Sequence, residues 1–264
     1  MRLRITHRTE YSYDAPVAYA LQRLRLVPVD GQTQTVRSWA LSIGGAGEEL
    51  RSQDHFGNDT RLLSVEGTPH TIAIEASGEV ETRDKAGVVG PHRGFAPLWL
   101  FNRETPLTTV GDGVRDLVAG LPSGSDLERL HCLMQAVGAR VHYRPGTTST
   151  ETSAEEALSL GAGVCQDHSH VFITASRAMG LPARYVSGYL MMDGTTTQAA
   201  SHAWAEAHVP GLGWVAFDAA NGISPDERYV RVATGRDYRD AMPVSGIRLG
   251  QAQEQLAVAI TVEQ

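Results

Sequence analysis

Only two cysteines, Cys132 and Cys165, occur among 264 residues. A small secreted domain held by disulfides would use more, so a disulfide framework is not what builds this fold. No apolar run approaches the roughly 20 residues that a membrane-spanning helix requires. Residues Met1 to Arg8 alternate polar and apolar side chains and lack the apolar core of a secretion signal. A cytoplasmic protein with no membrane partner is therefore expected. Basic residues are scattered and outnumbered, 23 Lys and Arg against 30 Asp and Glu, for a net charge of -7. Without a basic block interleaved with aromatics, nucleic acid is not an expected partner. Repeats and low-complexity segments are also missing. Apolar residues make up 42% of the chain, enough for the core of one large domain or two modest ones.

The first eighty or so residues read as strands. Leu3, Ile5, Thr9, Tyr11 and Tyr13 fall on alternate positions, as do Trp39, Leu41 and Ile43, and Ile72, Ile74 and Ala76. Turn residues separate them, among them Gly44-Gly45-Ala46-Gly47 and Asp54-His55-Phe56-Gly57-Asn58. This spacing predicts an N-terminal β-sandwich over residues 1–84. Glycines and prolines break up residues 85–106, which read as a linker whose apolar knot, Trp99-Leu100-Phe101, is pinned to a domain surface. Residues 107–264 are expected to form an α+β core. Ser123-Gly124-Ser125-Asp126 offers caps for a helix that carries Leu127, Leu130, Met134 and Val137 on one face, with Cys132 nearly opposite. Ser153-Ala154-Glu155-Glu156 is a capping box for a second helix that stops at Gly161. A third helix runs from Cys165 to near Met179-Gly180 with Cys165, Phe172, Ser176 and Met179 on its inward face. Strands follow over 183–190, 203–209, 214–217, 229–232 and 256–262.

Cys165 stands where a glycine-marked loop becomes a helix. Unpaired N–H groups and the positive end of the helix dipole there favour thiolate over thiol. Downstream come His202, in Ser201-His202-Ala203-Trp204, and Asp218, in Trp214-Val215-Ala216-Phe217-Asp218. A cysteine nucleophile, an imidazole base and an orienting carboxylate are what thioester chemistry needs. The hairpin between them sets a condition. Pairing Val209 with Trp214 would put Asp218 on the wrong side of the sheet from His202. A five-residue loop or one β-bulge instead sets Asp218 opposite Trp204 and diagonal to His202, so an irregular hairpin is expected. Gln166, His168 and Trp204 are expected to contact substrate. No metal site is expected, because His168 and His170, two apart on a helix, diverge by about 200°. No cofactor is expected either.

These residues resemble a known family. Gly163-Val164-Cys165-Gln166-Asp167-x-x-His170, Gly180-Leu181-Pro182-Ala183-Arg184-Tyr185-Val186-Ser187-Gly188-Tyr189, His202-Ala203-Trp204-Ala205-Glu206 and Gly213-Trp214-x-x-Phe217-Asp218 are similar to motifs of the bacterial transglutaminase-like proteins. Asp54-x-Phe56-Gly57-Asn58 resembles the β-rich domain that precedes their core. The resemblance implies a papain-like core with Cys165 as nucleophile, His202 as base and Asp218 as orienting acid. Two positions depart from the pattern. Ala219 follows Asp218 where proline is usual, and His168 replaces a common aromatic, which implies a more polar cleft. A peptide or amide is the expected substrate. Hydrolysis is the first reading, because no calcium loop or glutamine-specific pocket is evident. Protein-glutamine transamidation and a catalytically silent binding module are the alternatives, and the intact trio of residue types argues against the last.

Overall fold

The computed structural model describes residues 1–65 and 67–264. Six strands come first: β1 (Arg2–Tyr13), β2 (Tyr19–Val27), β3 (Gln34–Gly44), β4 (Ala46–Gln53), β5 (Asp59–Val65) and β6 (Thr71–Thr82). The short β7 (Val88–Gly90) and a 3-10 turn over Leu98–Asn102 follow. Next are the helices α1 (Asp112–Ala119), α2 (Asp126–Arg140), α3 (Ala154–Leu160) and α4 (Cys165–Ala178), with the two-residue strands β8 (His142–Tyr143) and β9 (Ala162–Gly163) between them. After them come β10 (Ala183–Leu190), β11 (Thr197–Gln198), β12 (His202–Val209), β13 (Gly213–Phe217) and β14 (Tyr229–Gly235). The chain closes with α5 (Tyr238–Ala241), β15 (Val244–Leu249) and β16 (Glu254–Glu263).

Two antiparallel sheets make up the N-terminal part, ordered β11-β16-β1-β6-β3 and β15-β2-β5-β4. Alternation along β1 sends Leu3, Ile5, His7, Thr9 and Tyr13 to its buried face. At one end of that face Tyr13, Ile72 and Ile74 pack with Leu24, Leu26 and Leu63 of the second sheet. At the other end Leu3, Ile5 and Val80 pack with Tyr189, Val230 and Val232 of the core. Each fully buried Leu, Ile or Val contributes about 1.5–3 kcal/mol, so these two clusters hold the layers together.

The topology corrects the expected domain boundary. Residues 244–263 were read as part of the core, but β15 pairs with β2 and β16 pairs with β1. Alternation in Val258, Ile260 and Val262 marks a strand. It carries no information about which sheet that strand joins. The linker is also more structured than expected. β7 pairs with β13 as an outer strand of the core sheet. Phe101 is buried beside Phe56 and Trp214, at ring separations of 5.8 and 5.1 Å, whereas Trp99 is exposed. Within the apolar knot Phe101, with Leu100 packed alongside, therefore does the pinning.

β14 is the outer strand on the other side of the core sheet, whose order is β14-β10-β12-β13-β7. Its free backbone groups are taken by two side-chain amides. Gln34 donates to the Arg231 carbonyl and accepts from the Arg231 N–H, both at 2.8 Å. Asn58 does the same with Thr234, again at 2.8 Å in both directions. Such contacts close an edge that would otherwise template a foreign strand. Asp54 aims Asn58: its carboxylate accepts from the N–H groups of Phe56 and Asn58 at 3.0 Å and from Asn58 Nδ2 at 2.9 Å.

Helix bounds follow the caps. Ser125 and Glu128 cap α2 reciprocally, Ser153 and Glu156 cap α3, and Gly161 ends α3 at φ 61°. α4 differs from the expectation of a single inward stripe, since Asp167 through Arg177 are all buried. Its polar residues tolerate this by bonding one turn back: Ser169 to the Cys165 carbonyl at 2.7 Å, Thr174 to His170 at 2.7 Å and Ser176 to Phe172 at 2.8 Å. Among the described residues no helix is long and apolar enough to cross a membrane.

Candidate active site

Cys165 opens α4, and the turn beneath it is held by Asp167. One oxygen of Asp167 accepts from the Val164 N–H and from Thr148 Oγ1, both at 2.7 Å. Burial raises the Asp167 pKa, and those two donors oppose the rise. The carboxylate folds back over Gly163, where an added Cβ would stand 2.6 Å from Asp167 Cβ. Glycine is therefore required just before the turn that carries Cys165. Cys165 itself is 9% exposed and joins the largest apolar cluster of the core.

The β12–β13 hairpin reaches the expected register through a three-residue loop and not through the five-residue loop or bulge expected. Val209 pairs with Gly213 and Ala205 with Phe217, which sets Asp218 opposite Trp204 one step further along. Pro210, Gly211 and Leu212 form the turn, with Gly211 and Gly213 at φ 84° and 81°. That left-handed geometry shifts the pairing by one residue relative to a two-residue turn. His202 is then diagonal to Asp218, and His202 Nε2 lies 2.6 Å from Asp218 Oδ2. Asp218 is fully buried and heavily solvated by protein. It accepts from Asn221 Nδ2 at 2.7 Å, Tyr229 Oη at 2.8 Å and the Ala220 N–H at 3.0 Å. Burial alone would raise its pKa, but the bonds from His202, Asn221 and Tyr229 hold it below the usual carboxylate value.

His202 shows the opposite balance. Burial lowers its pKa, but the hydrogen bonds and charges of Asp218 and Cys165 outweigh this and raise it to about 10. The imidazole thus contacts the carboxylate, and both Asp218 and Cys165 shift its pKa upward. Tyr143, at the rim, is 57% exposed. Its pKa is raised by burial first and then by the charges of Cys165 and Asp218.

The residues expected to contact substrate fare differently. Gln166 is half-buried beside Cys165. His168 was read as partly exposed but is 2% exposed, its ring nitrogens 2.8 Å from the Val164 carbonyl and 2.7 Å from the Val141 carbonyl. It ties the first turn of α4 to the end of α2 instead of lining a cleft. Trp204 is 2% exposed and stacks beneath His202 at 6.2 Å, so it supports the imidazole and does not face solvent. His170 is fully buried, accepts from the Tyr238 N–H at 3.2 Å, and has its pKa lowered to about 3 by burial and then by Arg177. Among the described residues no group of three or more His, Cys, Asp or Glu converges on a metal position.

Asn221 and Tyr229 escaped the sequence reading. Asp218-Ala219-Ala220-Asn221 carries a readable signal, because an aspartate followed by small residues favours a turn that bonds its own backbone. Tyr229 carries none, since it arrives from a separate strand. Trp204 depends in turn on Gly188, where an added Cβ would lie 2.7 Å from Trp204 Cη2 and would also strike the Val230 carbonyl. Gly188→Ala is expected to destabilise the fold by about 1–3 kcal/mol through overpacking. A lowered urea midpoint with an unchanged slope would show it.

Comparisons with known proteins show what the whole chain is similar to. Residues 115–219 match the model of the transglutaminase-like superfamily, and residues 3–81 match the bacterial transglutaminase-like N-terminal region. The chain is 31% identical over 279 residues to "Uncharacterized protein ML0607" of Mycobacterium leprae, covering 99% of this chain and 98% of that one. It is 31% identical over 273 residues to "Uncharacterized protein Rv2569c" of Mycobacterium tuberculosis, covering 93% and 87% respectively. A crystal structure from Cytophaga hutchinsonii, named "Putative Cysteine Protease", superposes with a TM-score of 0.76 at 22% identity. It covers 100% of this chain and 91% of its own.

Proposed function

Since the chain belongs to the transglutaminase-like superfamily, we propose that it cleaves amide or peptide bonds through a thioester on Cys165. His202 acts as acid and base, and Asp218 orients it. The carrying observation is the 2.6 Å contact between His202 Nε2 and Asp218, together with the raised pKa of that imidazole. With Nε2 committed to Asp218, Nδ1 is left for the sulfur.

In this reading the Cys165 thiolate attacks the carbonyl carbon and forms a C–S bond while the carbonyl π pair moves onto oxygen. The N–H of Cys165, at the start of α4, donates to that oxyanion. The imidazolium of His202 then gives its proton to the departing amine nitrogen, the C–N bond breaks, and the thioester remains. Neutral His202 next takes a proton from water as the water oxygen attacks the thioester carbon, and the C–S bond breaks to release the acid. Water is favoured over an amine acceptor by the open rim, where Tyr143 is 57% exposed.

Iodoacetamide at pH 6 tests the first requirement. An ordinary thiol is almost wholly protonated there, so Cys165 is expected to be alkylated at least about tenfold faster than half-buried Cys132. Equal rates, mapped by mass spectrometry, would remove the activated thiolate from the proposal. Adding an amine nucleophile during turnover distinguishes the acceptors: hydrolysis predicts mainly acid product, transamidation mainly the new amide.

A further inference from the structure

The segment leading into His202 is bound to the N-terminal sheets. Strand β11 pairs with β16, the Val262 N–H donates to the Thr196 carbonyl at 3.0 Å, and Gln198 Nε2 donates to the Leu190 carbonyl at 2.7 Å. Where this segment crosses from one domain to the other, a cavity of about 190 Å³ opens. Ala199, Ala200 and Ser201 form its core side and end directly before His202. Tyr11 of β1 and Leu256 and Val258 of β16 form its far side, and Tyr238 closes it.

Its place relative to Cys165 follows from two contacts. The Tyr238 N–H is held by His170 of α4 at 3.2 Å. The buried Tyr185 ring lies 5.3 Å from the His170 ring and 6.1 Å from that of Tyr238. The cavity therefore adjoins His202 on the side from which the chain enters β12, and Tyr238 ties it to α4, the helix that Cys165 opens.

Its chemistry is uncharged. Besides apolar residues it is lined by Thr9, Ser201 and His7. His7 is spent internally, 2.9 Å from Tyr189 Oη and 3.2 Å from Thr9 Oγ1, and burial lowers its pKa to about 4. A charged side chain entering here would lose water and meet no partner. We infer that this interdomain cavity is a specificity subsite that takes an uncharged, apolar side chain of the acyl donor, with one wall supplied by β1 and β16. The inference rests on the proposed reaction at Cys165 and adds the substrate class and a use for the N-terminal sheets.

Alkylation separates this from the reaction itself. Chloroacetyl-leucinamide and chloroacetyl-glutamic acid amide are compared at Cys165 in the full chain. The leucyl probe is expected to react about tenfold faster. Leu256 is 57% exposed, so Leu256→Lys is tolerable to the fold and should erase or invert that ratio. Ala200→Phe should slow the leucyl probe and leave plain iodoacetamide unaffected. Equal rates in the unmodified protein, or a ratio that survives Leu256→Lys, would overturn the subsite. Because no turnover is read, absence of hydrolysis would count against the reaction alone.

Discussion

Cys165→Ala is expected to remove acyl transfer, by on the order of 10⁴-fold or more, while leaving the fold standing. The magnitude follows from the nature of nucleophile loss, in which the remaining groups have nothing to activate. Structural loss should be small. Cys165 lies at the rim of its cluster, and alanine is compatible with a helix start. A penalty near 1 kcal/mol would shift the melting temperature by about 2–4 °C in a chain of this size. Comparing kcat with thermal unfolding separates the two. Turnover in the alanine variant within about tenfold of the parent would end the claim that this sulfur is the nucleophile.

Asp218→Asn should lower kcat by roughly 10⁴-fold through loss of the orienting charge, and it should also move the alkaline limb of the pH profile. The sign follows from the two shifts. His202 is raised from 6.5 to about 10, so its proton is held below pH 10 and lost as pH rises through that value. The associated stability is complete below the ordinary imidazole value and vanishes on passing pH 10. Asp218 is lowered, so its contribution is present at neutral pH and disappears on acidification as the carboxylate takes a proton. Asparagine keeps the shape but removes the charge that holds the imidazolium. The alkaline decline of kcat/KM should then move from near pH 10 toward the ordinary imidazole range. A decline that stays near pH 10 in the variant would mean that Asp218 does not set the protonation of His202.

Local physics carried most of the element bounds. Ser153, Glu156 and Gly161 bound α3 because caps act within four residues. Cys165 could be placed at a helix start for the same reason. The register of the hairpin was also legible, since strand alternation puts Asp218 and His202 on one face only in alternate registers, although the loop that achieves it was not. What escaped was decided at a distance. His168 was read from its neighbours in sequence, whereas its burial is set by the Val141 carbonyl at the end of another helix. Trp204 was expected to contact substrate, but Gly188 of β10 and Tyr229 of β14 close over it. β15 and β16 were legible as strands and not as members of the N-terminal sheets.

That last pairing bears on biosynthesis. Arg4 of β1 stands opposite Glu263 of β16, a separation of about 260 residues. On a ribosome adding roughly 5–20 residues per second, β1 waits on the order of ten to fifty seconds for its neighbour. During that interval one flank of the first strand has nothing to bind, while the catalytic segment emerges and can condense as an insert within an unfinished shell. The nascent chain thus stays open to misassociation until β16 arrives. Removing β16 alone would leave β1 permanently in that condition.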